Sequence, residues 1–443
     1  MIREEVLNDQ KILDTLKNNP LGRNQQLDTF IGLLNSINKN AILSIDGEWG
    51  SGKTFFVKQL EYLNKVSIPH IDTLGTENIK LFRENYQVYY FNAWENDYHD
   101  DPLESLLFSL INDIWERKDL AADSFAKFSK GLINSSLKTI TAGFYDSSEF
   151  DKIVSIADLA KRVKTASDRR RAIDDILNNY LDITGKRLIF VIDELDRCKP
   201  TYAVKLLEVI KHYYTNDRTV FLLSTNNVQL SHTIRKVYGQ SFDGPSYLNK
   251  FYDLIFNLPD FDVETYIKYI GVKIKNGHFK DEVPMEVARY LGLSLRQVNR
   301  YYSSLSLIEA YLDSEGGFDG RTVAASIVKY VLIPLAYGLR ISSSSDYSDF
   351  VKGKALELVV GFATESEIVR DIITRDEDAS AKEDPSGYLR DIYIKVVTKE
   401  RPKNQNDYKL YRNIEVYHRV VLLMNASGPI DEIGSIEPES KRL

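Results

Sequence analysis

The feature that most constrains the fold is a glycine-rich turn that lies between an apolar run, residues 41–45, and a helical pattern of apolar residues. The turn reads Gly47, Glu48, Trp49, Gly50, Ser51, Gly52, Lys53 and Thr54. It fits G-x-x-x-x-G-K-S/T, a pattern in which backbone N–H groups surround a polyphosphate. We therefore predict a strand, a phosphate-binding loop and a helix, with these eight residues forming the nucleotide site.

The residue types in this loop suit polyphosphate chemistry. We expect the glycines at 47, 50 and 52 to take positive φ, which lets the backbone approach a phosphate closely. Lys53 opens the next helix, whose N-terminal partial charge favours anions, and its ammonium can reach the β and γ phosphates. Thr54 is predicted to ligate Mg²⁺.

A second run, residues 187–194, is apolar until it ends in Asp193 and Glu194. This pattern is typical of a central parallel strand whose tip faces a metal ion. Asp193 is predicted to hold Mg²⁺. Glu194 is predicted to orient or deprotonate the attacking water. The alternative for two acids at a strand end is capping of the next helix.

Three further strands are predicted at residues 87–92, 219–224 and 254–258. They would place Asn92 at the carboxyl edge of the sheet, where ligands bind in open α/β folds. The amides of Asn226 and Asn227 follow the fourth strand. They are predicted either to contact the γ-phosphate or the attacking water, or to cap a turn.

The apolar patterns divide the chain into a core with appended helical parts. Residues 1–260 are predicted to form the nucleotide-binding core, with a mainly helical insert at about 97–180. Residues 261–315 read as a helical lid, and 316–443 as a C-terminal helical region with a disordered tail. In the lid, Arg296 and Arg300 share one helical face. Arg296 is predicted to reach the phosphates as a catalytic residue, and an exposed salt-bridging face is the alternative.

Composition narrows the class of protein. The chain has 443 residues, a formal net charge of −7 and a single cysteine, Cys198. An intramolecular disulfide is excluded, which fits a cytoplasmic location. The acidic balance gives no indication of nucleic-acid binding. No apolar run reaches the length of a spanning helix, so no integral membrane segment is expected.

Several blocks together resemble the KAP family of P-loop NTPases, which is named for kinase D-interacting, ankyrin-containing and phage-exclusion proteins. The blocks are residues 47–54, Phe91-Asn92-Ala93-Trp94, residues 192–200, Tyr247-Leu248-Asn249-Lys250 and Leu293-Ser294-Leu295-Arg296. The resemblance implies an α/β fold of ASCE type. Such a fold has a parallel five-stranded sheet flanked by helices, with an extra strand between the two that carry the Walker A and Walker B motifs.

The resemblance also implies ATP with Mg²⁺, and it makes Arg197 a candidate trans-acting or structural arginine. Many members carry transmembrane helices between the two motifs, but residues 117–171 here are too polar to span a bilayer. Family members include phage-exclusion proteins, which suggests an antiviral setting. A protein partner, which the sequence does not identify, and a homo-oligomer are both compatible with this family.

Two functions compete at this point. The first is an ATP-hydrolysing switch, which the intact set of Lys53, Asp193 and Glu194 favours. The second is a nucleotide-binding scaffold that recruits other proteins with little hydrolysis. A nucleic-acid motor is disfavoured, because no basic tract interleaved with aromatic residues is visible.

Overall fold

The computed structural model describes residues 8–67, 70–99, 177–213, 216–272, 279–314, 322–375, 379–401 and 405–426, with scattered positions between 101 and 113. Most of the predicted insert at 97–180 and the predicted disordered tail therefore lie outside the described residues. The chain divides into two compact units. The sheet unit comprises residues 7–19 and 23–259, and the helical unit comprises residues 1–6, 20–22 and 260–443.

The sheet unit is built on five parallel strands. They are β1 (Ala41–Asp46), β2 (Tyr86–Asn92), β3 (Arg187–Asp193), β4 (Thr219–Thr225) and β5 (Leu254–Asn257). Their order across the sheet is β2-β3-β4-β1-β5. Strand β4 thus lies between the strand before the glycine-rich loop and the strand that ends in Asp193. This confirms the predicted fold class, an α/β fold with a parallel five-stranded sheet flanked by helices.

Helices cover both faces of this sheet. They include α1 (Asp9–Asn18), α2 (Asn24–Ser36), α3 (Lys53–Lys65), α4 (Thr76–Asn85), α5 (Pro200–Tyr213), α6 (Asn227–Tyr238) and α7 (Gly244–Asn249). Side chains alternate between faces along a strand. In β3, Phe190 and Ile192 therefore join one apolar core, and Ile189 and Val191 join the other. Burial on both faces explains why β3 reads as an unbroken apolar run.

The helical unit is described by itself. Its helices include α8 (Val263–Tyr269), α9 (Phe279–Tyr290), α10 (Leu295–Ser314), α11 (Val323–Ile327), α12 (Ile333–Ser342), α13 (Ser344–Val351), α14 (Leu356–Glu365), α15 (Glu367–Thr374), α16 (Ala379–Glu383), α17 (Pro385–Thr398) and α18 (Gln405–Ala426). One apolar core extends from Ile267 to Met424. The C-terminal region is thus helical, as predicted, and its division from a lid at residue 315 stays a prediction.

One helical stretch of the described residues, Val323–Ser342, is long and apolar enough to cross a bilayer. It joins α11 to α12 through a π-helical segment, Val328–Leu332. Of its most apolar window, 67% is buried inside the protein. Val331, Leu332 and Leu335 belong to the apolar core of the helical unit. This burial is what the core helix of a folded domain shows.

Helix α9 contains a proline. Proline favours the first position of a helix, but Pro284 lies inside α9, which begins at Phe279. The ring removes one backbone donor. Pro284 and its neighbours Val283 and Met285 are all buried, so their packing keeps this segment helical.

Candidate nucleotide-binding and catalytic site

Strand register brings the polar residues at the strand ends into line. Asn92 pairs with Asp193, and Asp193 pairs with Ser224. One residue further on, Asp46 at the end of β1 pairs with Thr225. The carboxyl ends of parallel strands share one edge of the sheet, so the loop after β1 opens beside these side chains. Sequence-distant polar groups therefore meet at one place.

Two of the three glycines in the loop behave as predicted. Gly50 has φ 81° and Gly52 has φ 94°, a region that residues with a Cβ rarely adopt. Gly47 does not have positive φ, so that part of the prediction is wrong. An added Cβ at Gly47 would lie 2.9 Å from Ser51 Oγ, so a larger residue would require that side chain to move. The Ser51 Oγ atom is itself buried with no hydrogen-bond partner among the described residues.

Lys53 is the first residue of α3, and its side chain turns back over the loop. Its Nζ donates to the carbonyl oxygens of Gly47 at 2.6 Å and Glu48 at 3.0 Å. Burial lowers the pKa of Lys53, and the carboxylates of Asp196 and Asp193 oppose that effect. The Lys53 ammonium therefore lies within the predicted phosphate-binding loop.

Asp193 is almost completely buried, with 1% of its surface exposed. Its Oδ2 accepts a hydrogen bond from Tyr90 Oη at 2.9 Å, and its Oδ1 accepts one from the Glu194 N–H at 3.1 Å. Burial raises the pKa of Asp193, and hydrogen bonding to the hydroxyl of Thr54 acts in the opposite direction. Thr54 and Asp193, the two predicted metal ligands, thus lie side by side.

Glu194 adopts a left-handed backbone conformation with φ 61° and ψ 24°. This costs about 1–2 kcal/mol for a residue with a Cβ. Its Oε1 forms an ion pair with Arg197 Nη1 at 2.8 Å, and its Oε2 accepts from Asn92 Nδ2 at 3.3 Å. These contacts hold the carboxylate at the edge of the sheet, beside Asp193.

The two amides after β4 are engaged within the protein. Asn226 caps α6, because its side chain accepts from the Gln229 N–H. Asn227 Oδ1 accepts from Tyr252 Oη at 3.0 Å and from Thr225 Oγ1 at 2.9 Å. Of the two predictions from the sequence, capping describes Asn226, and contact of these amides with the γ-phosphate or the attacking water stays a prediction.

Two contacts of the loop were not foreseen from the sequence. Arg23 is buried, and its Nη1 donates to the carbonyl of Ser51 at 2.7 Å while its Nη2 donates to the carbonyl of Pro259. The indole N–H of Trp49 donates to Asp196 Oδ2. Neither contact has a signal in the sequence, because Arg23 is 28 positions from Ser51 and Trp49 is 147 positions from Asp196.

The residues present fit a nucleotide with Mg²⁺. Gly50 and Gly52 have the backbone that an anion-binding loop needs, and Thr54 with Asp193 offers two hard oxygen ligands. Within the described parts of the chain, no three His, Cys, Asp or Glu side chains gather as a metal cluster. Phosphate and water oxygens would have to supply the remaining ligands.

Arg296 lies in the helical unit, near the start of α10. Its side chain is exposed, whereas Arg300 on the same helix is half-buried. The predicted catalytic role of Arg296 stays a prediction.

Comparison with known proteins identifies the family. The KAP family P-loop domain matches residues 23–311. A search of curated proteins finds no match. Among solved structures, cbiO1 from Clostridium perfringens, part of the ABC transporter complex cbiONQ, is similar with 14% identity, covering 44% of this chain and 71% of that one, at a TM-score of 0.21. The family match covers more than half of the 443 residues, and the chain belongs to the KAP family of P-loop domains.

Proposed function

We propose that this protein binds and hydrolyses ATP with Mg²⁺ and acts as a nucleotide-dependent switch. The observation that carries the proposal is the meeting of Lys53 and Thr54, at the start of α3, with Asp193 and Glu194 at the end of β3. A binding loop alone would not need a buried carboxylate with a second acid directly after it. The full set is what phosphoryl transfer to water requires.

Each group has a distinct task in this proposal. The backbone N–H groups of residues 47–53 bind the phosphates, and the Lys53 ammonium exchanges the carbonyls of Gly47 and Glu48 for phosphate oxygens. Thr54 and Asp193 hold Mg²⁺, which when bound neutralises negative charge on the β- and γ-phosphates. The loop thus binds and orients the substrate.

Glu194 is proposed as the catalytic acid–base residue. Its contacts with Asn92 and Arg197 fix the carboxylate where it can orient the attacking water and accept its proton. The ion pair within the chain favours a structural role for Arg197 over a role in trans. Arg296 is proposed to act on the γ-phosphate from the helical unit.

A second candidate function is a nucleotide-binding scaffold that recruits a partner protein and hydrolyses little ATP. The ion pair of Glu194 with Arg197 is the observation that favours it, because a carboxylate that is engaged by a guanidinium is less available to a water molecule. Under either function we propose a cytoplasmic location and, by analogy with the phage-exclusion members of the family, a role in antiviral defence.

Steady-state phosphate release, measured with the full chain and Mg²⁺–ATP, separates the two functions. We expect turnover in the parent protein, and a loss of about 10²–10³-fold in Lys53→Ala. Lys65→Ala is the matched control, since this lysine is the last residue of the same helix and lies far from the loop. Tight ATP binding by the parent without turnover would establish the scaffold instead.

A further inference from the structure

Tyr90 has no role in the proposed chemistry so far, and its side chain contacts the predicted metal ligand Asp193 directly. It lies on β2, which is paired with β3, and its Oη donates to Asp193 Oδ2 at 2.9 Å. The other carboxylate oxygen accepts from the Glu194 N–H at 3.1 Å. Each carboxylate oxygen thus has a donor, in addition to the Thr54 hydroxyl, and these donors fix the plane of the carboxylate.

The ring of Tyr90 is itself held by the helix that begins in the nucleotide loop. Lys58 Nζ lies 3.2 Å from the centroid of the Tyr90 ring, and the same ammonium pairs with Glu61 at 3.0 Å. Thr54 and Lys58 are four residues apart on α3 and therefore share one face. Helix α3 thus reaches Asp193 both directly, through Thr54, and indirectly, through Lys58 and Tyr90.

The phenol is a constant donor in this setting. A tyrosine hydroxyl can donate at neutral pH, and an ionised carboxylate has only acceptors. The contact of 2.9 Å between Tyr90 Oη and Asp193 Oδ2 therefore runs from the phenol to the carboxylate.

We propose that Tyr90 is the positioning residue for Asp193, and that its hydroxyl orients the carboxylate toward Thr54 for a hard divalent cation. The inference rests on the proposed function and assigns a residue to its metal site. Groups that orient a metal ligand from behind commonly change metal affinity or activity by about 10–100-fold when removed.

The test is Tyr90→Phe, which removes only the hydroxyl. Mn²⁺ binding is measured by electron paramagnetic resonance on the full chain with a non-hydrolysable ATP analogue, and the Mg²⁺ dependence of phosphate release is measured in parallel. We expect the half-saturating metal concentration to rise by about 10–100-fold. Affinity for the analogue in EDTA should stay unchanged, since the loop is intact.

Tyr86→Phe is the matched control. It removes a hydroxyl from the other end of the same strand, where Tyr86 donates to the carbonyls of Leu34 at 2.6 Å and Ile37 at 2.9 Å. This variant should lose stability with no change in metal affinity. If Tyr90→Phe does not fold, Lys58→Gln keeps the hydroxyl but loosens the ring, and should shift metal affinity in the same direction by a smaller factor.

The outcomes separate this inference from the proposed function. A parent that binds the analogue but no Mn²⁺ overturns the magnesium site and with it both proposals. A parent that binds both, together with a folded Tyr90→Phe of parental metal affinity, overturns the role of Tyr90 alone. Equal shifts of metal affinity in Tyr90→Phe and Tyr86→Phe would show a general loss of stability and would also overturn the role of Tyr90. If Tyr90→Phe does not fold, an unchanged metal affinity in Lys58→Gln would overturn it.

Discussion

The indole N–H of Trp49 donates a hydrogen bond to the carboxylate of Asp196, which joins the nucleotide loop to the segment that follows β3. The next residue, Arg197, lies with its guanidinium carbon 5.6 Å from the ring centroid of Trp94, in the turn after β2. Two residues further on, the backbone N–H of Lys199 donates to Asp97 Oδ2 at 3.0 Å. The segment after β3 thus contacts both the loop and the turn, and a change in one should reach the other.

Trp49→Phe should weaken both folding and nucleotide binding. The ring remains, but the buried carboxylate of Asp196 loses a donor, which costs about 1–3 kcal/mol. Urea unfolding and calorimetric titration with an ATP analogue measure the two effects. Trp94→Phe keeps an aromatic ring beside Arg197 and serves as the control with the smaller loss. Parental values for Trp49→Phe would show that the hydrogen bond has no energetic role.

Asp193→Asn should stabilise the nucleotide-free protein while lowering turnover. Burial raises the pKa of Asp193 above its ordinary 3.8. Between the pKa of the unfolded state and the higher pKa of the folded state, the folded protein holds more protons than the unfolded chain. This carboxyl group therefore lowers the stability as pH rises through that range. The amide removes this cost. Turnover should fall by about 10²-fold through the lost metal ligand.

Urea unfolding at pH 7.5 and at pH 4.5 checks this account. The stability advantage of Asp193→Asn over the parent should be larger at pH 7.5, where the buried carboxylate is more fully ionised. Asp182→Asn is the control, because that carboxylate is exposed and pairs with Arg218. A variant less stable than the parent at pH 7.5 would contradict the expectation.

Much of this site was predictable because its parts are local in the sequence. The positive φ values at Gly50 and Gly52 follow from the motif, and the strand that ends in Asp193 follows from its apolar run. The carboxyl edge of a parallel sheet then brings the strand ends together, whatever the length of chain between them.

The contacts that tie the site together could not be predicted in the same way. Tyr90 is 103 positions from Asp193, and Trp49 is 147 positions from Asp196. Their meeting depends on the strand order, with β2 beside β3 and β4 between β3 and β1. The prediction of positive φ at Gly47 was wrong for a related reason, since a motif does not show the space beside Ser51.

Arg296→Ala should lower turnover by about tenfold, the factor that one charge-assisted hydrogen bond supplies. Arg300→Ala is the matched control, because it removes the same charge from the same helix, one turn further on. Steady-state kinetics with saturating Mg²⁺–ATP measures both variants. Equal and negligible effects would leave the pair as an exposed salt-bridging face.

Glu194→Gln should bind ATP and fail to hydrolyse it. The amide keeps an oxygen for the Asn92 contact and leaves Asp193 intact, so nucleotide and metal affinity should persist. It cannot accept a proton from water, so turnover should fall by about 10²–10⁴-fold. Single-turnover hydrolysis measures the loss, and sedimentation with ATP detects any assembly that the trapped state promotes.

Asp196→Asn distinguishes catalysis from support of the loop. Asp196 accepts the Trp49 hydrogen bond, and its amide keeps an oxygen that can still accept it. Asp196→Asn should therefore lower stability less than Trp49→Phe does, and reduce turnover less than Glu194→Gln. If Glu194→Gln instead hydrolyses ATP at the parental rate while Asp196→Asn does not, the proton acceptor is Asp196. The ion pair between Glu194 and Arg197 would then be a purely structural clamp on the end of β3.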